Sequence, residues 1–227
     1  MTTVLLLSWN LFHGRSLPPT RRSLFNEFAA RLGEWSWDVA LLQEVPPWWP
    51  QRLADELGVD QRSALTSRNA LPGLRRALAE RRPELLKSNG GGCNAILIRG
   101  DTAPGDHRFA VLRTRPERRV VHGVRLGDTW IANVHAQVWS EERAQLDAAT
   151  AAAHVFAWAG DAPAVLGGDF NTRAPHPPGL TDLGGHKVDR VLARGWTAAS
   201  AAKTMDHGHL SDHAPIVIEL RREGSTS

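Results

Sequence analysis

The chain has 227 residues, of which 42% are hydrophobic and 22% are charged, so it is long enough to bury the core of one domain. Its apolar runs are short and interrupted, so we expect no transmembrane helix, and its start lacks the basic segment and cleavage site of a secretory signal. The formal net charge of +3 is carried mostly by arginine, which suits phosphate recognition, although a coding bias towards arginine accounts for it equally well.

The first part of the chain predicts a strand, a helix and a second strand. Val4 to Trp9 is an apolar run of strand length, and Asn10 follows it. Apolar residues at three- and four-residue spacing between Leu24 and Trp35 predict a helix with one buried face. The second apolar run, Asp38 to Gln43, is followed by Glu44. Each predicted strand therefore ends at a polar side chain.

Two further helices are predicted before residue 87. The first spans Trp48 to Leu57. The second spans Pro72 to Leu86, and its exposed side is strongly basic. The run Gly90-Gly91-Gly92 predicts a flexible or tight turn, and it is not a nucleotide-binding loop because no Gly-Lys-Ser/Thr follows it.

Four strands are predicted between residues 93 and 135. They span Cys93 to Ile98, Arg108 to Arg113, Val120 to Leu126 and Thr129 to Val134. The last two are joined at Gly127-Asp128, a dipeptide typical of β-hairpin turns, and His135 follows them. The single cysteine, Cys93, excludes an internal disulfide and a multi-cysteine zinc site, so we expect a protein of the reducing cytoplasm.

The next helix and strand repeat the pattern of the first unit. Ser140 is predicted to cap a helix that ends before Gly160. The apolar face of this helix is predicted to comprise Leu146, Ala149, Ala153 and Phe156. A short buried strand, Ala164 to Leu166, then leads through two glycines to Asp169.

The C-terminal part predicts shorter elements. In chain order they are a loop from Ala174 to Gly185, strands over Val188 to Leu192 and Trp196 to Ala202, a polar loop from Asp206 to His213 and a last strand over Ala214 to Leu220.

The two strand–helix–strand units have equal spacing. Asn10 and Glu44 are 34 positions apart, and so are His135 and Asp169. A βαβ unit brings the carboxyl ends of its two parallel strands to one edge of a sheet. We therefore expect an α/β fold of two related sheets packed face to face, with helices outside and both polar edges over one cleft.

Eight polar residues lie at the ends of these predicted strands or directly after them. They are Asn10, Glu44, His135, Asp169, Asn171, Asp189, Asp212 and His213. Carboxylate and amide oxygens suit hard cations such as Mg²⁺ or Mn²⁺, and converging carboxylates repel each other unless a cation or an imidazolium lies among them. The sequence has no thiolate cluster and no His-Glu-x-x-His, which argues against a conventional zinc hydrolase. The alternative interpretations are polar turns or loops for Asn10, Asp169 and Asp212, and a structural histidine with satisfied hydrogen bonds at a sheet end for His135.

Six short motifs occur in a characteristic order. They are Ser8-Trp9-Asn10, Leu42-Gln43-Glu44, Asn133-Val134-His135, Gly168-Asp169-Phe170-Asn171, Val188-Asp189-Arg190-Val191 and Ser211-Asp212-His213. Together they resemble the ordered motifs of the endonuclease/exonuclease/phosphatase superfamily over the chain from Ser8 to Leu220. The resemblance implies a four-layer α/β/β/α sandwich, which we expect to be one domain over residues 1–222 with a frayed tail at 223–227. It also implies Mg²⁺-dependent cleavage of phosphate esters.

The resemblance also assigns metal ligands. Glu44 is implied to be the principal ligand of Mg²⁺ or Mn²⁺, with Asn10 and Asp212 nearby. An all-oxygen donor set of this kind matches the preference of both ions.

Five residues are implied to act on the phosphate. Asp169 would orient and deprotonate the attacking water, and Asn171 would hold a non-bridging oxygen. His213, oriented by Asp189, would stabilise the charge that develops on the phosphoryl group, and His135 would act as general acid or as a hydrogen-bond donor.

Other histidines are given weaker interpretations. His207 and His209 either approach the metal or are solvated loop residues, and His13 is expected to be structural or on the surface. The sequence departs from the family pattern at Arg190, where an aromatic residue or histidine is usual, so the packing around Asp189 is expected to differ.

A phosphodiesterase or nuclease, acting as a monomer on a phosphate ester such as a nucleic acid, is the function these residues favour. Two alternatives remain: a non-catalytic phosphate- or nucleic-acid-binding module of the same fold, and a phosphoesterase of lipid or inositol phosphates. The loops Leu57 to Gly92 and Ala174 to Gly185 surround the site, but neither carries a motif that identifies the substrate.

Overall fold

The N-terminal apolar run forms a central strand of the first of two sheets. The computed structural model describes residues 2–66, 92–100 and 102–224. In chain order its helices and strands are β1 (Thr3–Asn10), α1 (Phe25–Glu34), β2 (Val39–Val45), α2 (Trp49–Leu57), β3 (Asp60–Thr66), β4 (Gly92–Ile98), β5 (His107–Arg113), β6 (Arg119–Leu126), β7 (Thr129–His135), α3 (Glu141–Ala159), β8 (Ala164–Asp169), β9 (Thr181–His186), β10 (Asp189–Arg194), β11 (Trp196–Ala198), β12 (Lys203–Thr204) and β13 (Ile216–Arg222).

The strands form two mixed sheets. The first has the order β11-β13-β1-β2-β4-β3, with β12 also paired to β13, and the second has the order β5-β6-β7-β8-β10-β9. The pairs β1–β2 and β7–β8 are parallel, so both predicted βαβ units are confirmed. His135 lies opposite Asp169 in the second unit, whereas Asn10 lies opposite Gln43 in the first.

Three layers of apolar side chains hold the sheets and helices together. The layer between the sheets includes Leu6, Leu41 and Ile131. Helices α1 and α2 pack on the outer face of the first sheet around Trp9 and Phe28. Helix α3 packs on the outer face of the second sheet. The predicted α/β/β/α sandwich is thus confirmed.

A buried polar contact joins the two sheets behind their polar edges. Gln43 Nε2 donates to Asn133 Oδ1 at 2.9 Å, and Asn133 Nδ2 donates to the carbonyl oxygens of Leu42 and Ala95 at 2.9 Å each. Both side chains are fully buried, so these bonds satisfy groups that would otherwise be costly to desolvate. They also fix the relative position of β2 and β7, whose ends carry Glu44 and His135.

The apolar face predicted for α3 is wrong. Leu146 is 60% exposed, and Ala153 is exposed as well. The buried positions are Ala144, Asp147, Ala148, Ala151, Ala152 and Val155. Asp147 accepts from Arg113 Nε at 2.7 Å and from the backbone N–H of Gln137 at 3.0 Å. These bonds orient the helix, and its alanines allow it to lie close to the sheet.

Other predictions differ in smaller ways. The predicted loop from Ala174 to Gly185 contains most of β9, and the strand predicted over Trp196 to Ala202 is only the three-residue β11. Residues 60–66, which carry no clear strand pattern, form β3. The helix predicted over residues 72–86 lies outside the described residues. Within the part of the chain that the structure describes, no helix combines the length and apolarity that a bilayer span requires.

Candidate active site

A pocket of about 270 Å³ opens where the carboxyl ends of β1, β2, β7 and β8 meet. Its lining residues are Asn10, Phe12, Arg15, Glu44, Glu117, Arg119, His135, Val138, Asp169, Asn171, Asp212 and His213. Seven of the eight predicted site residues therefore face one cavity. The eighth, Asp189, does not line the pocket, but its side chain contacts His213.

A β-bulge directs Glu44 into the pocket. The pairing of β2 with β4 shifts register just before the end of β2, and Glu44 has a left-handed backbone with φ of 49°. Burial has the largest effect on this carboxyl group. Although Arg119 opposes the shift, burial and repulsion from Asp169 and Asp212 raise the pKa of Glu44 to about 7.

The same features test whether the pocket fits a divalent cation. Glu44, Asn10 and Asp212 offer only oxygen donors, and the pKa of Glu44 is raised first by burial and then by repulsion from Asp169 and Asp212. A hard cation would relieve that repulsion, so these residues fit Mg²⁺ or Mn²⁺.

Asp169 is held in place by hydrogen bonds to both of its oxygens. Asn10 Nδ2 donates to Oδ2 at 3.0 Å, and the backbone N–H of Asn171 donates to Oδ1 at 3.0 Å. The preceding residue, Gly168, has a φ of 137°, and a Cβ there would lie 2.0 Å from the carbonyl oxygen of Val134. The hydrogen bonds to Asn10 and Asn171 thus orient the buried carboxylate of Asp169. Its position requires a glycine at residue 168, because any side chain there would clash with Val134.

Asp189 and His213 form an ion pair. His213 Nδ1 lies 2.9 Å from Asp189 Oδ2. Burial opposes the charged form of His213, but the hydrogen bond to Asp189 and the charges of Asp169, Asp189 and Asp212 raise its pKa to about 9. Burial raises the pKa of Asp189 to about 6, which remains below that of its partner. At neutral pH the pair therefore consists of a carboxylate and an imidazolium.

A second group of possible metal ligands coincides with this ion pair. In the described part of the chain, one ligand atom each from Asp169, Asp189 and His213 lies within 4.8 Å of the others. Between pH 7 and pH 9, a cation there would have to displace a proton from His213, whose pKa is about 9, whereas Glu44, with a pKa of about 7, is already ionised. The group around Glu44 is therefore the better candidate for a hard cation.

Arg119 and Glu117 are pocket residues that the sequence analysis missed. Arg119 Nη1 lies 2.9 Å from His135 Nδ1, and Arg119 Nη2 lies 2.7 Å from Glu117 Oε2. Burial lowers the pKa of His135 well below its usual value, and the charges of Arg119, His213 and His13 lower it further. The sequence could have indicated Arg119, because the hairpin turn at Gly127-Asp128 sets the register of β6 and β7. Extended two residues past the pair Val121–Val134, that register places Arg119 beside the end of β7.

His13 is a second residue to which the sequence analysis gave no catalytic or metal role. Its Nε2 lies 3.1 Å from Glu44 Oε2, and its side chain is 11% exposed. It lies in a 3-10 turn, Phe12–Gly14, in which all three residues have positive φ. A Cβ on Gly14 would lie 2.5 Å from the ring of Trp49, so this turn is tightly packed. Its position three residues after Asn10 could have suggested that His13 lies near the same strand end.

The remaining histidines considered from the sequence lie away from the pocket lining. The ring of His207 contacts Trp9 edge-on, and its Nδ1 bonds to the carbonyl oxygen of Leu210. His209 pairs with Glu27 at 3.2 Å and is 47% exposed. Arg190, the departure from the family pattern, pairs with Asp182 and leaves Asp189 free to meet His213.

Residues 7–213 match the sequence model of the Endonuclease/Exonuclease/phosphatase family. Comparison with curated protein sequences finds no match.

Solved structures share the fold at low sequence identity. An endonuclease/exonuclease/phosphatase from Beutenbergia cavernae superposes with a TM-score of 0.74 at 20% identity, over 99% of this chain and 72% of that one. Truncated TDP2 from Caenorhabditis elegans gives 0.64 at 16% identity, over 96% of this chain and 98% of that one. A mannosyl-6-phosphatase from Bacteroides thetaiotaomicron gives 0.64 at 14% identity, over 96% and 99%.

Proposed function

The chain belongs to the endonuclease/exonuclease/phosphatase family, and from this premise we propose that it is a phosphodiesterase or nuclease that depends on Mg²⁺ or Mn²⁺. The family identifies it as a phosphoric ester hydrolase. The finer proposal is carried by one observation: four strand ends, three with a carboxylate or amide and one with His135, converge on a pocket that also holds a second histidine ion-paired to a buried aspartate.

The metal site of this proposal consists of Glu44 with Asn10 and Asp212. When bound, the cation supplies Lewis-acid stabilisation of the charge on the phosphoryl oxygens. The support is the donor chemistry of these residues and the raised pKa of Glu44.

The chain's own residues supply the other elements of phosphate ester hydrolysis. Asp169, held by Asn10 and by the backbone of Asn171, orients the attacking water and accepts its proton. His213 is charged at neutral pH and stabilises the negative charge that builds up on the phosphoryl group. The side chain of Asn171, anchored to the carbonyl oxygen of Ala136 at 2.9 Å, retains one free N–H for a non-bridging oxygen.

The experiment that tests this function is hydrolysis of bis-p-nitrophenyl phosphate with Mg²⁺ or Mn²⁺. We expect turnover that EDTA abolishes and that Glu44→Ala lowers by about 100-fold or more. Glu56→Ala, at an exposed position on α2, is the matched control and should keep wild-type activity. A folded protein that binds phosphoesters without cleaving any of them would instead indicate the non-catalytic binding module.

The substrate class is tested on the same protein with a panel. It comprises single- and double-stranded DNA, abasic DNA, RNA, inositol phosphates, sphingomyelin and a sugar 6-phosphate. Preference for nucleic acid would support the proposal. Preference for a lipid, inositol or sugar phosphate would refute the nuclease assignment and leave the phosphoesterase assignment in place.

A further inference from the structure

The two histidines that face the pocket have different partners on Nδ1. In His213 this nitrogen meets a carboxylate, Asp189, at 2.9 Å. In His135 it meets the guanidinium of Arg119, also at 2.9 Å. Arg119 is itself only 6% exposed, and its other terminal nitrogen is anchored to Glu117. The two imidazoles are therefore held by partners of opposite charge.

The partner decides where the ring proton resides. A guanidinium is always protonated in proteins and has no acceptor, so His135 Nδ1 must accept this hydrogen bond with its lone pair. A ring whose Nδ1 is an acceptor is neutral and carries its proton on Nε2. That nitrogen lies 3.6 Å from Asp169 Oδ2 and 3.9 Å from Glu44 Oε1, so its N–H points towards the oxygen-rich side of the pocket.

We propose that Arg119 is a positioning residue that locks His135 as the neutral Nε2–H tautomer. His135 is then a fixed hydrogen-bond donor to a phosphate oxygen and not the proton donor to the leaving group. Of the two histidines that line the pocket in the described part of the chain, His213 is the one whose Nδ1 is paired with a carboxylate. The tautomer itself follows from the hydrogen bond alone, whereas its role in turnover rests on the proposed phosphoesterase function.

The direct test is the tautomer of His135 in the whole protein. Nitrogen-15 NMR of histidine-labelled protein at neutral pH distinguishes protonated from unprotonated ring nitrogens, and comparison with His135→Asn assigns the signals. We expect wild type to show Nε2–H alone. Arg119→Lys, which keeps a cationic donor, should show the same tautomer. Arg119→Gln, whose amide can also accept, should show a fraction of Nδ1–H.

A matched control separates this lock from a general effect of losing an arginine. Arg222→Gln removes a more exposed arginine–carboxylate pair, with Asp128 at 2.8 Å, outside the pocket. It should leave the His135 signals unchanged. A wild-type ring protonated on Nδ1 or on both nitrogens would overturn the proposal, and so would an unchanged tautomer in a folded Arg119→Gln.

The consequence for turnover is measured separately. With bis-p-nitrophenyl phosphate, Arg119→Gln should lower kcat by about 10- to 100-fold with little change in KM, and Arg119→Lys should restore most of the loss. If the wild type cleaves no phosphoester, the proposed function fails while the NMR result still decides the tautomer. If the tautomer changes as expected and kcat does not, the positioning role is wrong.

Discussion

Replacing Glu44 with glutamine should stabilise the metal-free protein at alkaline pH. The pKa of Glu44 is raised from 4.5 to about 7 by burial and by the neighbouring carboxylates. The folded state therefore holds this proton more tightly than the unfolded state, so the free energy of unfolding decreases as pH rises from about 4.5 to 7. At 1.36 kcal/mol per pKa unit, the ionised carboxylate costs about 3 kcal/mol above that interval.

The assay is urea unfolding in EDTA at pH 4.5 and pH 8. Wild type and Glu44→Gln should be nearly equal in stability at pH 4.5, where the carboxyl group is protonated in the folded state and only half ionised in the unfolded state. At pH 8 the variant should be more stable by about 3 kcal/mol, because the buried charge is gone. Glu56→Gln, at an exposed position on α2, should match wild type at both pH values.

Addition of metal should reverse the order. At pH 8, Mg²⁺ or Mn²⁺ should stabilise the wild type, since a ligand that binds only the folded state raises its free energy of unfolding, and should leave Glu44→Gln nearly unchanged. A variant that is less stable than wild type at pH 8 in EDTA would refute the reasoning, as would a stability difference that does not depend on pH.

Three further predictions concern Asp189, Asp169 and Gly168. Asp189→Asn should lower the pKa of His213 from about 9 and move the alkaline limb of the kcat/KM profile to lower pH, which a pH–rate series measures. Asp169→Asn should lower kcat by about 100- to 10,000-fold with an unchanged circular dichroism spectrum, because the variant keeps the shape but loses the base; full activity would exclude the proton-accepting role. Gly168→Ala should lower the free energy of unfolding, measured in urea, by about 1–3 kcal/mol, because its Cβ would lie 2.0 Å from the carbonyl oxygen of Val134. Wild-type stability of this variant would show that β8 can move away from Val134.

The fold was accessible from the sequence because its main signals are local. The apolar runs of β1 and β2 are continuous, as expected of strands buried on both faces, and the turn at Gly127-Asp128 fixes the hairpin β6–β7. The equal spacing of the two βαβ units then indicated which strand ends meet. The buried face of α3 could not be predicted from the sequence, because it is set by the long-range hydrogen bonds of Asp147 with Arg113 and Gln137.

The pocket shows the same division between local and long-range information. Residues directly after buried strands were identified because an acid or amide at the end of such a strand lies at the edge of the sheet. Arg119 and His13 were missed because each acts on a site residue from another part of the chain, across a hairpin in one case and through a strained turn in the other. Extending the hairpin register would have placed Arg119, whereas the position of His13 depends on a left-handed turn that composition and periodicity do not reveal.

Anomalous diffraction from a crystal soaked in manganese chloride shows whether this pocket binds a divalent cation. We expect one strong peak inside the pocket, at about 2.0–2.5 Å from oxygens of Glu44 and of at least one of Asn10 and Asp212. A pocket without a peak, or a peak bound only by Asp189 and His213, would contradict this expectation.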